Sequence, residues 1–155
     1  MRGLPLVVLS FLLVACNGGA QKTDDHQSAA VAGVTLVQVR FAETQAIFEL
    51  SNRSSSPIAF DGNETADVAF PRHYGMECRL PTGSQDDWSE PDVILGSWTS
   101  TQTIEVPSDS SKLLSVDAQY ARQQAGRDCR LRLTMADGRI VLSHVFSAPP
   151  SPEGQ

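Results

Sequence analysis

This sequence of 155 residues is poor in aromatic and basic side chains and has only three cysteines. Aromatic residues make up 6% of it, and 12 Lys and Arg stand against 18 Asp and Glu, for a net charge of −6. A nucleic-acid binder neutralises phosphates with basic residues, so this balance argues against that class. The length allows one ordinary globular domain and leaves no room for a second catalytic domain.

The chain also lacks a long hydrophobic run. Its clearest apolar stretch, residues 4–15, follows Arg2 and ends on a small residue. As a helix this stretch would reach only about 18 Å, whereas the hydrocarbon core of a bilayer is about 30 Å thick. Residues 1–15 therefore indicate a signal peptide that directs export and is then removed, rather than a membrane-spanning helix.

The predicted cleavage site carries the most specific motif in the chain. Leu13-Val14-Ala15-Cys16 resembles the lipobox of bacterial lipoproteins. The resemblance implies that Cys16 receives lipid and becomes the new N-terminus, and multiple acyl chains anchor a protein stably. Asn17 occupies the position at which lipoproteins retained in the inner membrane often carry Asp. The resemblance therefore implies that this protein is sorted to the outer membrane. The alternative is an ordinary signal peptide followed by a chance cysteine.

Two segments without a periodic apolar face flank the expected domain. Residues 16–30 are polar and small, which is typical of a flexible tether with an r.m.s. span of about 20 Å. Residues 148–155 are rich in proline, which cannot donate a strand hydrogen bond, and they predict a disordered tail. The globular domain is therefore expected at residues 31–147.

Within that domain, apolar residues alternate with a period of two, in short segments bounded by Ser, Asn, Asp, Gly and Pro. This pattern predicts an all-β domain. The clearest hairpin joins residues 129–135 to residues 140–146 through Asp137-Gly138, a pair favoured in two-residue type I′ turns because both positions need a positive φ. A turn of that length sets the pairing of the two strands.

The expected pairing puts Met135 opposite Ile140 and Cys129 opposite Phe146. His144 then lies on the apolar face of the hairpin. Burial disfavours the charged imidazole, so we expect a lowered pKa for His144.

About seven strands, separated by short turns, favour a two-sheet sandwich. Residues 47–52 before a Ser-Ser-Ser-Pro turn, and residues 103–107 before a serine-rich stretch, resemble bacterial immunoglobulin-like domains. The resemblance implies an immunoglobulin-like sandwich. Antibody-type domains place an Asp and a Tyr just before the second core cysteine, and this chain does not, so only the architecture carries over.

With Cys16 lipidated, Cys78 and Cys129 are the two cysteines that remain, in a compartment that permits disulfides. Each alternates with apolar residues on the inward side of its strand. A bridge between them would stabilise the fold by about 4 kcal/mol in the chain-entropy model. The alternatives are a reactive thiol or a pair of metal ligands, although no CxxC spacing exists.

A copper site is the first alternative to a plain binding domain. His73, Met76 and Cys78 are close in sequence, and imidazole and thioether are plausible Cu(I) ligands. His26 and His144 lie elsewhere, and no pair has a chelating spacing. We therefore expect no metal and no cofactor.

An envelope hydrolase is the second alternative. Catalysis needs a nucleophile beside a base, or carboxylates held in a cleft. The motifs Gly-x-Ser-x-Gly, HExxH and GxxxxGK[ST] are all missing from the sequence, and Asp86-Asp87 is a pair in a loop. We therefore expect a protein that is not an enzyme.

Trp88 and Trp98 form the candidate partner contact, because both fall in a loop-rich stretch and aromatic residues are enriched at interfaces. The alternative is that they close one end of the core. Asn52 and Asn63 begin glycosylation-type patterns, which we discount because the lipobox implies a bacterium. The sequence thus predicts a lipid-anchored envelope protein, facing the periplasm, whose β-sandwich is a binding or structural module for an envelope protein partner.

Overall fold

The computed structural model describes residues 31–42, 44–84, 87–89, 92–95 and 101–150. The predicted signal peptide, Cys16, the tether, Trp98 and residues 151–155 lie outside the described residues. Among those that are described, no helix has the length and apolar character needed to cross a membrane.

The described residues form eleven strands and one short helix. In chain order these are β1 (Val34–Phe41), β2 (Gln45–Asn52), β3 (Ile58–Glu64), β4 (Val68–Pro71), β5 (His73–Arg79), β6 (Asp92–Leu95), β7 (Gln102–Val106), β8 (Ser110–Asp117), α1 (Gln119–Gln123), β9 (Asp128–Thr134), β10 (Ile140–Leu142) and β11 (Phe146–Ser147). The predicted all-β class is confirmed. The expected count of about seven strands is too low, in part because β4 is a four-residue strand with no alternation long enough to detect.

The strands form two sheets. The first has the order β1-β2-β8-β4-β3-β7, and the second has the order β10-β9-β5-β6, with β11 also paired to β9. All pairs are antiparallel except β4 with β8. The predicted two-sheet sandwich is confirmed, and it fits the broad immunoglobulin-like architecture.

The core lies between the two sheets, because alternate residues of each strand point inward. The largest apolar side chains there are at most 1% exposed: Leu36, Phe48, Leu50, Phe60, Met76, Leu114, Leu131 and Leu133. Full burial of one such side chain stabilises the fold by about 1.5–3 kcal/mol. Helix α1 packs against β5. Its Ala121 is fully buried, and so is Ala118, the residue that precedes the helix.

The hairpin of β9 and β10 differs from the prediction at its turn. The φ angle is +84° at Gly138 but is not positive at Asp137, so a type I′ turn does not form. Met135 O accepts from Gly138 N at 2.9 Å, and Met135 N donates to Arg139 O at 2.8 Å. This is a three-residue loop that ends in a left-handed glycine.

One extra loop residue shifts the pairing of β10 with β9 by one position, whereas Phe146 of β11 lies opposite Cys129 as predicted. Ile140 therefore lies opposite Thr134 instead of Met135. A slip of one residue reverses the faces of a strand, so Val141 points into the core and Ile140 is only half-buried. The prediction of a buried His144 is wrong, because this side chain is exposed.

Candidate interaction surface around Trp88

The pairing of β5 with β9 gathers charged residues on the outer face of the second sheet. Cys78 and Cys129 are opposite each other and point inward, so their neighbours along the strands point outward. Glu77 thus lies opposite Arg130, and Arg79 lies opposite Asp128. This face of a small acidic protein is consequently rich in arginine.

Glu77 is the buried centre of this charged group. It is 5% exposed, and its Oε2 accepts from Nε of Arg130 at 2.7 Å and lies 2.6 Å from Nη2 of the same residue. Nη1 of Arg132 lies 3.6 Å from Oε1. Because an unpaired buried carboxylate is costly, Arg130 compensates the charge of Glu77 with two charge-assisted contacts.

Trp88 covers two of the arginines. The guanidinium carbon of Arg130 lies 4.1 Å from the centroid of the indole ring, and that of Arg79 lies 4.5 Å from it. Both distances are within the range of cation–π attraction, which is strongest for Trp. We call the surface formed by Glu77, Arg79, Trp88, Arg130 and Arg132 the Trp88 platform.

The residue after Trp88 is held on the edge of β5. Ser89 N donates to Cys78 O at 3.0 Å, and Cys78 N donates to the Ser89 hydroxyl at 2.9 Å. The hydroxyl of Tyr120, in α1, donates to the same Ser89 oxygen at 3.1 Å. These bonds extend the pairing along β5 just before β6 begins, and they fix Trp88 beside the arginines.

The loop before Trp88 is closed by its own polar groups. Arg79 donates from Nη1 to Ser84 O at 3.0 Å, and Ser84 N donates to Oδ2 of Asp87 at 2.6 Å. Asp87 is therefore engaged in the turn. Asp86, the other member of the predicted acidic pair, lies outside the described residues.

Cys78 and Cys129 form a disulfide in the structure, with an S–S distance of 1.96 Å. This agrees with the inward phase predicted for Cys78 and Cys129. The bond joins two neighbouring strands of one sheet, so it does not connect the two sheets of the sandwich. Both residues are at most 1% exposed.

The residues considered for copper do not converge. Met76 points into the core and is 1% exposed, whereas His73 belongs to the opposite phase of β5 and is half-buried. Cys78 is in the disulfide, and His26 lies outside the described residues. Within the described ranges, no group of three or more His, Cys, Asp or Glu side chains is arranged to hold a metal ion.

The arginines and Glu77 were missed as site residues when the sequence was considered alone. The signal was present, because Glu77 and Arg79 flank one bridged cysteine and Arg130 follows the other. A cross-strand disulfide would have placed these charges side by side. Trp98 lies outside the described residues, so only Trp88 of the predicted pair is placed.

No protein-family model matches the chain, and no curated protein or solved structure matches it. The role of this arginine-rich, tryptophan-covered face is therefore inferred from its fold and its contacts.

Proposed function

We propose that this chain is a lipid-anchored protein of the bacterial cell envelope whose β-sandwich is a non-catalytic binding module. The lipobox-like motif supports the anchor at Cys16, with the outer membrane as the expected location and the periplasm as the compartment of the domain. The Cys78–Cys129 bond supports export, because disulfides persist in oxidising compartments.

The observation that carries the binding function is the position of Trp88. The indole is half-buried over two guanidinium groups on the outside of a sheet, instead of filling the core. Tryptophan and arginine are the residue types enriched in the energetic centres of interfaces. A rigid β-sheet beneath them holds the surface ready for a partner with little ordering cost.

The anchor is tested with Cys16→Ala. We expect unprocessed precursor and loss of lipid labelling, because the thiol is the acylation site. Cys16→Ser is the matched control for side-chain size, and it should fail in the same way. Normal processing and membrane retention of the alanine variant would refute the anchor.

The binding module is tested by photo-crosslinking in native membranes, with a benzoylphenylalanine in place of Trp88. We expect a defined crosslinked envelope protein. The control carries the same group in place of Gln102, an exposed residue of β7 in the other sheet. Equal crosslinking from both positions, or none from position 88, would contradict the assignment of this surface.

A further inference from the structure

We propose that the outer face of the first sheet docks a second copy of this chain, so that two sandwiches pack face to face. The face is formed by β1, β2, β8 and β4, which are adjacent strands. It lies on the opposite side of the sandwich from the Trp88 platform. The inference therefore goes beyond the proposed function and does not depend on what the platform binds.

Each of these four strands places an apolar side chain on the outer face. Every one of the four is adjacent in sequence to a core residue, so it points away from the core: Val37, Ile47, Leu113 and Val68. Val37 is 38% exposed, and Ile47 is only 6% exposed although it is not part of the core between the sheets. The solvent face of an antiparallel sheet is usually polar. We call this surface, together with Arg40 and Glu49, the outer apolar face.

Polar residues border the outer apolar face along the strands. At one end Thr35 lies opposite Ser51, which lies opposite Ser111, and at the other end Gln45 lies opposite Asp117. An apolar patch with a polar rim is typical of a protein interface. Three of the strands have eight residues, so the face covers about 500 Å². Two such faces bury about 1,000 Å², the lower limit for a specific interface.

Two opposite charges lie among these apolar side chains. Glu49 is half-buried between Val37 and Leu113, which lie opposite it on the two neighbouring strands. Arg40 is exposed and lies opposite Ile47. Among the residues that the structure describes, neither charge takes part in an ion pair. A carboxylate surrounded by apolar side chains is poorly solvated, so it gains from a positive partner.

A second copy supplies a partner for both charges. In a two-fold symmetric interface the same patch is used twice. An axis that passes between Arg40 and Glu49 therefore brings Arg40 of each copy to Glu49 of the other. The apolar side chains of the two faces then cover each other. The hydrocarbon of a membrane offers Glu49 no cation, so the charges favour a second copy over a lipid surface.

The first test measures the oligomeric state of the detergent-solubilised full chain by sedimentation velocity, with micelles in excess over protein. We expect a dimer whose population rises with protein concentration. Leu113→Glu should weaken dimerisation at least about tenfold, because it puts a carboxylate in the interface. Leu142→Glu is the matched control and should leave the dimer unchanged. Leu142 is half-buried on the outer side of β10, in the second sheet.

The second test reverses the two charges. Arg40→Glu and Glu49→Arg should each weaken self-association at least about tenfold, because like charges then meet across the two-fold axis. An equimolar mixture of the two variants should dimerise as well as the natural chain, since each variant supplies the charge that the other needs. Restored association also shows that both variants are folded.

A chain that stays monomeric at about 100 μM would overturn the inference, because even a weak contact is populated at that concentration. Equal weakening by Leu113→Glu and Leu142→Glu would also overturn it, and so would charge variants that dimerise normally or a mixture that stays monomeric. If no dimer forms while crosslinking at position 88 succeeds, the proposed function stands and this second surface does not.

Discussion

Asn52 is the buried polar residue whose substitution tests the packing of the sandwich most directly. It is fully buried at the end of β2. Its Nδ2 donates to the carbonyl oxygens of Ser56 at 2.9 Å, Val106 at 3.0 Å and Pro107 at 3.2 Å. Its Oδ1 accepts from the backbone N and the hydroxyl of Ser54. One amide therefore ties the serine-rich turn to the end of β7.

The substitution Asn52→Asp keeps the shape and removes both amide donors. Three carbonyl oxygens would then face a carboxylate oxygen. The two N–H donors are shared among them, so about 2 kcal/mol is lost at about 1 kcal/mol per donor, and burial of the charge adds to this. Domains of this size have total stabilities of about 5–15 kcal/mol. We therefore expect loss of a large part of the unfolding free energy at neutral pH.

The pH dependence of the variant has a definite sign. Burial beside carbonyl oxygens raises the pKa of the new carboxyl in the folded state above its unfolded value of about 3.9. The folded state then binds the proton more tightly, so relative to the natural protein the variant loses stability as pH rises from that value through the folded pKa. Protonation restores one donor and recovers part of the loss.

Urea unfolding at neutral pH and at about pH 4 measures both effects. Asn63→Asp is the matched control. It makes the same chemical change at a half-buried residue on the outer side of β3. We expect the control to change stability by less than about 0.5 kcal/mol. A loss below about 1 kcal/mol for Asn52→Asp, or the same pH profile in both variants, would refute the reasoning.

Two further predictions concern the disulfide and the hairpin turn. Replacing both Cys78 and Cys129 by Ala should lower the unfolding free energy by up to about 4 kcal/mol, and an unchanged urea midpoint would contradict this. The backbone N–H of Arg139, followed by its side chain, lowers the pKa of Asp137 below 3.8. This stabilisation is present above pH 3.8 and is lost as pH falls through the lowered folded-state pKa. The Asp137→Ala variant should therefore lose less unfolding free energy on acidification than the natural protein, by up to about 1 kcal/mol. An equal loss in the two proteins would argue against this.

The alternation of the sequence was sufficient to predict the class of the fold and the inward phase of both bridged cysteines. Alternation is a local property, because successive side chains of any strand point to opposite faces. Once Cys78 and Cys129 point inward, their charged neighbours must point outward, so the charged residues of the platform follow from the sequence as soon as the two strands are known to pair. The position of Trp88 over them does not, because it lies in a loop.

That pairing, and the details of the turns, were decided by the tertiary structure. At the hairpin, Asp137-Gly138 allows both a two-residue and a three-residue loop, and contacts distant in sequence accompany the longer one. Ala136 N donates to Ala59 O at 2.8 Å, and His144 N donates to Leu36 O at 2.9 Å, both in the other sheet. These bonds pair backbone groups with residues far away in the sequence, which a local pattern cannot indicate, so the register of β10 and the exposure of His144 were not predicted correctly.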